Sequence, residues 1–204
     1  TRAVAEQDDE SRRLYRERQR PLGLITPAYL EMQRTMHRTQ RYGVSGHLYA
    51  KHVARLISGI RKACGGHVDA LDYGAGPGLL GQALGAMPEL LGAYTLHEYD
   101  PAIETKSAMP EPADVVTCTD MLEHVEPDCL NNVLEHMAGL AKKAVFLAIA
   151  TRPAVKTLPD GRNAHLIVRG PDFWKIKLQE YWVIREMAES DEDVIVVGQA
   201  RELK

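Results

Sequence analysis

One stretch constrains this chain more than any other: LDYGAGPGLLG, Leu71 to Gly81. Four glycines fall within eleven residues. A strand-like run, HVDALDY, leads in, and a helix-like run, GLLGQALGAM, leads out. A glycine-rich turn between strand and helix is a nucleotide cradle, because bare backbone lets a ligand approach closely. Residue type excludes two kinds of cradle. A phosphate-binding P-loop needs Lys-Ser/Thr after its glycines, but Leu79 and Leu80 stand there. The dinucleotide form GxGxxG fails as well, since Gly78 comes one residue early and Leu79 fills the slot. What remains is D-x-G-x-G-x-G, from Asp72 to Gly78.

From His67 onward, strand-like and helix-like runs alternate. AYTLHEY and ADVVTCT read as the second and third strands. A helix comes next with Leu130, Val133, Leu134, Met137 and Leu140 on one face, and Pro127 stands near its start, where a missing N–H costs nothing. AVFLAIA has no polar face, as expected inside a parallel sheet. PDFWKIKLQ reads as a helix opened by Pro171. YWVI and DVIVVGQA close the chain as a strand pair, suggesting an antiparallel hairpin at one edge. The alternation predicts a doubly wound, mostly parallel α/β sheet over residues 67–204. Residues 1–66 read as a helical extension or lid. There Val53, Leu56, Ile57 and Ile60 recur at helical spacing before Gly65-Gly66. Upstream, SRRLYRERQR sets five arginines against one glutamate, either a solvated helix face or a phosphate-contacting patch.

Composition narrows the class. Hydrophobic residues make up 45% of 204 and charged residues 26%, as in ordered globular proteins. A net charge of −3 argues against a strongly basic nucleic-acid-binding domain. Cys64, Cys118 and Cys129 are odd in number and fit no zinc spacing, so they are expected to be reduced thiols in a cytoplasmic protein. The chain opens on Thr1, which suggests a trimmed start. No apolar run reaches membrane-spanning length.

Two further motifs accompany the glycine loop. The second strand ends in HEYDP, and ADVVTCTDMLEHVEP places Leu-Glu-His-Val after the third. In this order and spacing, the three motifs resemble class I (Rossmann-like) S-adenosylmethionine-dependent methyltransferases over about residues 67–200. The resemblance implies a seven-stranded-type sheet and S-adenosylmethionine as cofactor. The glycines would let the backbone pass close to the methionine moiety and adenosine. The implied contacts are Asp72, Tyr73, Gly74, Ala75, Gly76 and Gly78 at the loop, and Thr119, Asp120 and Met121 after the third strand. Asp72 would favour the cationic amino group, directly or through water. Asp100 would hold the ribose hydroxyls, with Glu98 as the alternative. The chain departs from the family at one place. Only thirteen residues separate Asp100 from Asp114, where the family places a helix, a third strand and an adenine-contacting acid. SAMPEPAD, with two prolines, predicts a shortened third strand or a rebuilt loop.

The acceptor side is read from the run after the third strand. Methylation of base amino groups goes with Asp/Asn-Pro-Pro-aromatic, whereas here the run is Thr119-Asp120-Met121-Leu122. Cys118 lies mid-strand after Thr117, as a structural thiol rather than a nucleophile. As one turn of helix, Asp120, Glu123 and His124 would share a face, and His165 comes later in LPDGRNAHLI. Such a set suits Mg²⁺ or Mn²⁺. It resembles the ubiquinone-biosynthesis O-methyltransferases and the small-RNA 3′-end 2′-O-methyltransferases, which carry Glu-x-x-Glu-His; here Asp120 is one methylene shorter. A metal-bound hydroxyl would lose its proton more easily. Without metal, His124 or His165 would be the general base, or His124 would merely pack under the cofactor. The long connection TRPAVKTLPDGRNAHL offers Arg152, Lys156, Arg162 and Asn163 to a phosphate, carboxylate or sugar. TMHRTQRYGVSGHLYAKH could close as a lid, with Tyr42 and His47 near the acceptor and Gly43 and Gly46 as hinges. The expected activity is O-methylation of a small-molecule or sugar-like hydroxyl. The alternatives are an RNA 3′-terminal ribose 2′-hydroxyl and a non-catalytic cofactor-binding scaffold.

Overall fold

The computed structural model describes residues 23–40 and 42–201; the arginine-rich SRRLYRERQR lies outside them. Thr26 caps α1 (Pro27–Thr39), its Oγ1 accepting from the Tyr29 amide at 3.3 Å, with Pro27 in the first turn. A short 3₁₀ turn, Gly46–Tyr49, runs into α2 (Ala50–Cys64), which Gly65 ends at φ +71°. Then come β1 (Val68–Tyr73), α3 (Leu79–Gly85), β2 (Tyr94–Tyr99), β3 (Ala113–Thr119), α4 (Leu130–Leu140) and β4 (Ala141–Ala150). The described chain closes with α5 (Pro171–Gln179), β5 (Trp182–Glu189) and β6 (Asp193–Ala200).

These strands form one sheet in the order β2-β1-β3-β4-β6-β5. β2, β1, β3 and β4 run parallel, with Asp72 opposite Glu98 and Cys118 opposite Leu147. β6 is antiparallel to both neighbours, so the hairpin expected at one edge is present, with β5 outermost. Among the described residues the sheet has six strands. Between β2 and β3 there is only a 3₁₀ turn, Glu104–Lys106, followed by an extended run through Pro110 and Pro112. Proline cannot donate to a ladder, and the segment is too short for a helix and a strand. β2 is therefore an edge strand.

Strand alternation feeds two apolar layers. On one face Val53 and Ile57 of α2 and Leu80 and Leu84 of α3 pack with Val68, Ala70, Val115 and Phe146. On the other, Leu134 and Met137 of α4 and Trp174 and Leu178 of α5 pack with Leu71, Val116, Cys118, Val145 and Leu147. A smaller cluster joins Tyr29 and Met36 of α1 to Leu158 and Ala164 of the connection after β4. α1 thus lies over the carboxyl ends of the parallel strands, where open α/β sheets bind ligands.

Candidate functional site

The loop after β1 is crowded by protein on several sides. Gly74, Gly76 and Gly78 all take positive φ, at +80°, +52° and +86°. A Cβ at Gly74 would lie 2.5 Å from Met121 Cγ, and one at Gly76 would lie 2.9 Å from the Gly43 carbonyl oxygen. At Gly78 it would meet Glu98 Oε1 at 2.5 Å. The glycines are needed for these close crossings as well as for the turn.

Asp100 locks the loop from the end of β2. Its Oδ2 accepts from the Gly76 amide at 3.0 Å and its Oδ1 from the Ala102 amide at 2.9 Å. Glu98, the alternative, points elsewhere. Lys106 Nζ sits 2.9 Å from its Oε2 and also donates to the Gly76 carbonyl at 2.9 Å. Asp100, not Glu98, lines the first cavity. The space it encloses, open solvent at its mouth included, is about 770 Å³.

Of the residues expected around a cofactor, Tyr73, Gly74, Gly76, Asp100, Asp120 and Met121 line this cavity. Asp72, Ala75, Gly78 and Thr119 are not in its wall. Asp72 is 2% exposed and stands outside the wall of this cavity. Its Oδ1 accepts from Thr117 Oγ1 at 3.2 Å, and burial pushes its pKa up to about 7. The remaining wall is largely apolar, with Leu24, Ile25, Val125, Val133 and Tyr99. Among the described residues no acid from a further strand enters it, because no strand forms between β2 and β3.

A second cavity adjoins the first at Asp120 and His124 and is bounded by Glu123, Arg152, Lys156 and His165. Here the sequence reading needs correction. Asp120 has φ +48°, the one positive φ among the described non-glycine residues, and it stands outside the short 3₁₀ turn Leu122–His124. The single helical turn that would align Asp120 with Glu123 and His124 does not form. Asp120 Oδ1 accepts from the Tyr49 hydroxyl at 3.1 Å instead. Glu123, His124 and His165 do converge, with one ligand atom from each lying within 4.8 Å of the others, and Asp120 is not part of that group.

The protonation states in this group are set by its neighbours. His124 Nδ1 lies 2.7 Å from the Ala164 carbonyl, and Tyr42 Oη approaches the same nitrogen at 3.0 Å. His165 Nδ1 lies 2.6 Å from the Arg152 carbonyl. A carbonyl can only accept, so each Nδ1 carries the hydrogen and each Nε2 keeps a lone pair. Burial drives the His124 pKa down to about 3 and lowers that of His165. Glu123 is fully buried, with Oε1 accepting from the Ala150 amide at 3.0 Å and Oε2 without a partner. Burial first, then the charge of Asp120, raise its pKa to about 8.

α1 closes over the first cavity. Thr26 donates through its amide and hydroxyl to the Glu126 carboxylate, each at 2.8 Å, and the Tyr29 hydroxyl donates to the His124 carbonyl at 2.6 Å. Tyr42 lies between the cavities, whereas His47 is exposed and bonds the Val44 carbonyl. Of the polar residues expected from the long connection, Arg152 and Lys156 line the second cavity. Arg162 pairs with Asp160, and Asn163 brackets the Ala154 backbone. Sequence reasoning missed Gln33, which lines the first cavity. The available signal was its four-residue spacing from Tyr29 and His37.

No family model and no curated protein sequence matches the chain. Solved structures do. The 1,6-didemethyltoxoflavin-N1-methyltransferase of Burkholderia thailandensis, solved with 1,6-didemethyltoxoflavin and S-adenosylhomocysteine bound, is similar at TM-score 0.59 and 12% identity. The match covers 86% of this chain and 90% of that one. TehB from Haemophilus influenzae is similar at TM-score 0.51 and 12% identity, over 72% of this chain and 62% of that one. The CurJ carbon methyltransferase gives TM-score 0.51 and 14% identity, over 78% and 58%. The chain thus spans less than two thirds of TehB and of CurJ. At these identities the shared property is the fold, a Rossmann-like class I methyltransferase fold, here shortened at the third-strand position as the sequence suggested.

Proposed function

We propose that this chain is an S-adenosylmethionine-dependent methyltransferase that methylates an oxygen of a small-molecule or sugar-like hydroxyl. The observation that carries the reading is Asp100. Backbone amides pin its carboxylate in the cavity wall, yet a carboxylate has further lone pairs for two ribose hydroxyls. The bare loop beside it gives room for the methionine moiety, with Asp72 behind it as an indirect counter-charge. α1 and the crossing at Gly43 act as a lid over domain 67–204, and the three cysteines serve as thiols in the cytoplasm.

The acceptor would sit in the second cavity, between His165 and Lys156. Its hydroxyl oxygen attacks the methyl carbon in line, the carbon–sulfur bond breaks, and the electron pair leaves on sulfur as neutral S-adenosylhomocysteine. The hydroxyl proton needs a base. His165, neutral through its lone-pair Nε2, suits that role better than His124, which burial makes a very weak base. Glu123, His124 and His165 also fit a divalent ion, with two carbonyl-pinned imidazoles and a buried carboxylate oxygen lacking a partner. This donor set favours Mn²⁺ over Mg²⁺. A bound ion would supply Lewis acidity toward the acceptor hydroxyl.

An RNA 3′-terminal ribose is the second reading. It draws on α2, which exposes Lys51, Arg55, Arg61 and Lys62 and contains no acidic residue. The test is S-adenosylhomocysteine release with a panel of hydroxyl metabolites and short RNAs, with and without chelator. Release with metabolites supports the first reading, and release only with RNA supports the second. Tight cofactor binding with no release from any acceptor favours a scaffold.

A further inference from the structure

The lid carries a polar group that the described residues leave unpaired. α1 turns Tyr29, Gln33 and His37 toward the first cavity, stacked at four-residue intervals. The outer two have protein neighbours. Tyr29 donates to the His124 carbonyl, and His37 Nε2 lies 3.9 Å from Asp100 Oδ2. Gln33 stands between them, 8% exposed, and its Nε2 makes no hydrogen bond. Gln33 acts on the Tyr29 and Tyr42 hydroxyls as a nearby hydrogen-bond partner, lowering their pKa values against the larger effect of burial, but neither hydroxyl meets hydrogen-bond geometry with its Nε2.

A buried amide nitrogen with two hydrogens and no acceptor is rare in folded proteins and costly. A methionine would fill similar space without that cost, and the same helix carries Met32 and Met36. The amide is also fixed before any ligand arrives, because Thr26–Glu126 and Tyr29–His124 already hold the helix down. Among the described residues no atom accepts from this donor within hydrogen-bond geometry; a ligand acceptor in the cavity would explain its place.

We infer that Gln33 is a ligand-contacting residue, donating from its amide to an acceptor atom of the S-adenosyl compound held in the first cavity. This role rests on the proposed cofactor and adds to it. The lid then recognises the ligand as well as covering it, and the cavity's mostly apolar wall gains one directional contact.

The test compares wild type with Gln33→Met and Gln33→Leu, using thermal melting without ligand and calorimetry with S-adenosylhomocysteine and with adenosine. Without ligand, both variants should melt at or above the wild-type temperature, since an unpaired buried donor has been removed. Their affinity for S-adenosylhomocysteine should fall on the order of tenfold, as for one lost hydrogen bond. A parallel fall for adenosine places the acceptor atom on the nucleoside, and a fall for S-adenosylhomocysteine alone places it on the amino-acid tail. Affinity within about twofold of wild type would overturn the inference. So would ligand-free variants that melt well below wild type, which would make Gln33 structural. If wild type binds no S-adenosylhomocysteine at all, the cofactor reading fails first and this inference with it.

Discussion

Asp72 and Asp100 are both buried beside the same loop, and their surroundings give them different work. Asp100 accepts two backbone amides and faces the cavity; Asp72 accepts one hydroxyl and faces the sheet. Asp100→Ala removes two hydrogen bonds to a charged group, at roughly 1.5–3 kcal/mol each, and leaves the Gly76 amide unpaired. Calorimetry of this variant should find S-adenosylhomocysteine binding weakened by about 100-fold or more, while Glu98→Gln keeps it within about tenfold. Asp72 makes a prediction in pH. Its folded pKa of about 7 lies above the ordinary 3.8, so the folded state holds that proton more tightly than the unfolded chain does. The resulting stability is complete below about pH 4 and disappears as pH rises toward 7. Each tenfold difference in proton affinity is worth about 1.4 kcal/mol, which makes the effect a few kcal/mol. Asp72→Asn can still accept from Thr117 and does not titrate. Denaturation of wild type and variant between pH 4.5 and 7.5 should show wild type losing stability relative to the variant. Parallel curves would contradict the assignment.

At the scale of elements, the site depends on two crossings that hold the lid to the sheet. One is Gly43 over Gly76. Gly76→Ala incurs about 1–2 kcal/mol for left-handed backbone and sets a methyl 2.9 Å from a carbonyl oxygen. It should lower the melting temperature and abolish detectable S-adenosylhomocysteine binding. The other is the cap of α1. Thr26→Ala loses the cap and the hydroxyl bond to Glu126, for about 1–2 kcal/mol. Limited proteolysis should then cut within residues 23–45 faster than in wild type, with the sheet core intact. These elements were unequally legible. The strand–glycine–helix unit at 68–85 could be read because apolar period and glycine placement coincide there. The rebuilt loop between β2 and β3 could also be read, because Pro110 and Pro112 deny a ladder its donors. The path of α1 could not, since no local signal says that Met36 will meet Leu158 and Ala164, more than a hundred positions away.

For the whole molecule, the class I fold was legible from three motifs, while the acceptor site was legible only in part. His124 and His165, read as partners in one site, lie 4.7 Å apart between ring centres. Asp120 was misplaced because a positive φ at an aspartate has no signature in residue spacing. The convergence of Glu123, His124 and His165 carries its own test. Manganese should raise the melting temperature of wild type, and that rise should vanish in Glu123→Gln and in His165→Ala; an equal rise in all three would exclude these ligands. The central claim is that the cavity between Asp100 and α1 holds an S-adenosyl nucleoside. Titration calorimetry of the purified chain with S-adenosylhomocysteine tests it most directly, with ATP and NAD as comparison ligands. The expected result is one-to-one binding of S-adenosylhomocysteine and no heat from the phosphorylated nucleotides; tight binding of ATP or NAD with silence toward S-adenosylhomocysteine would contradict it.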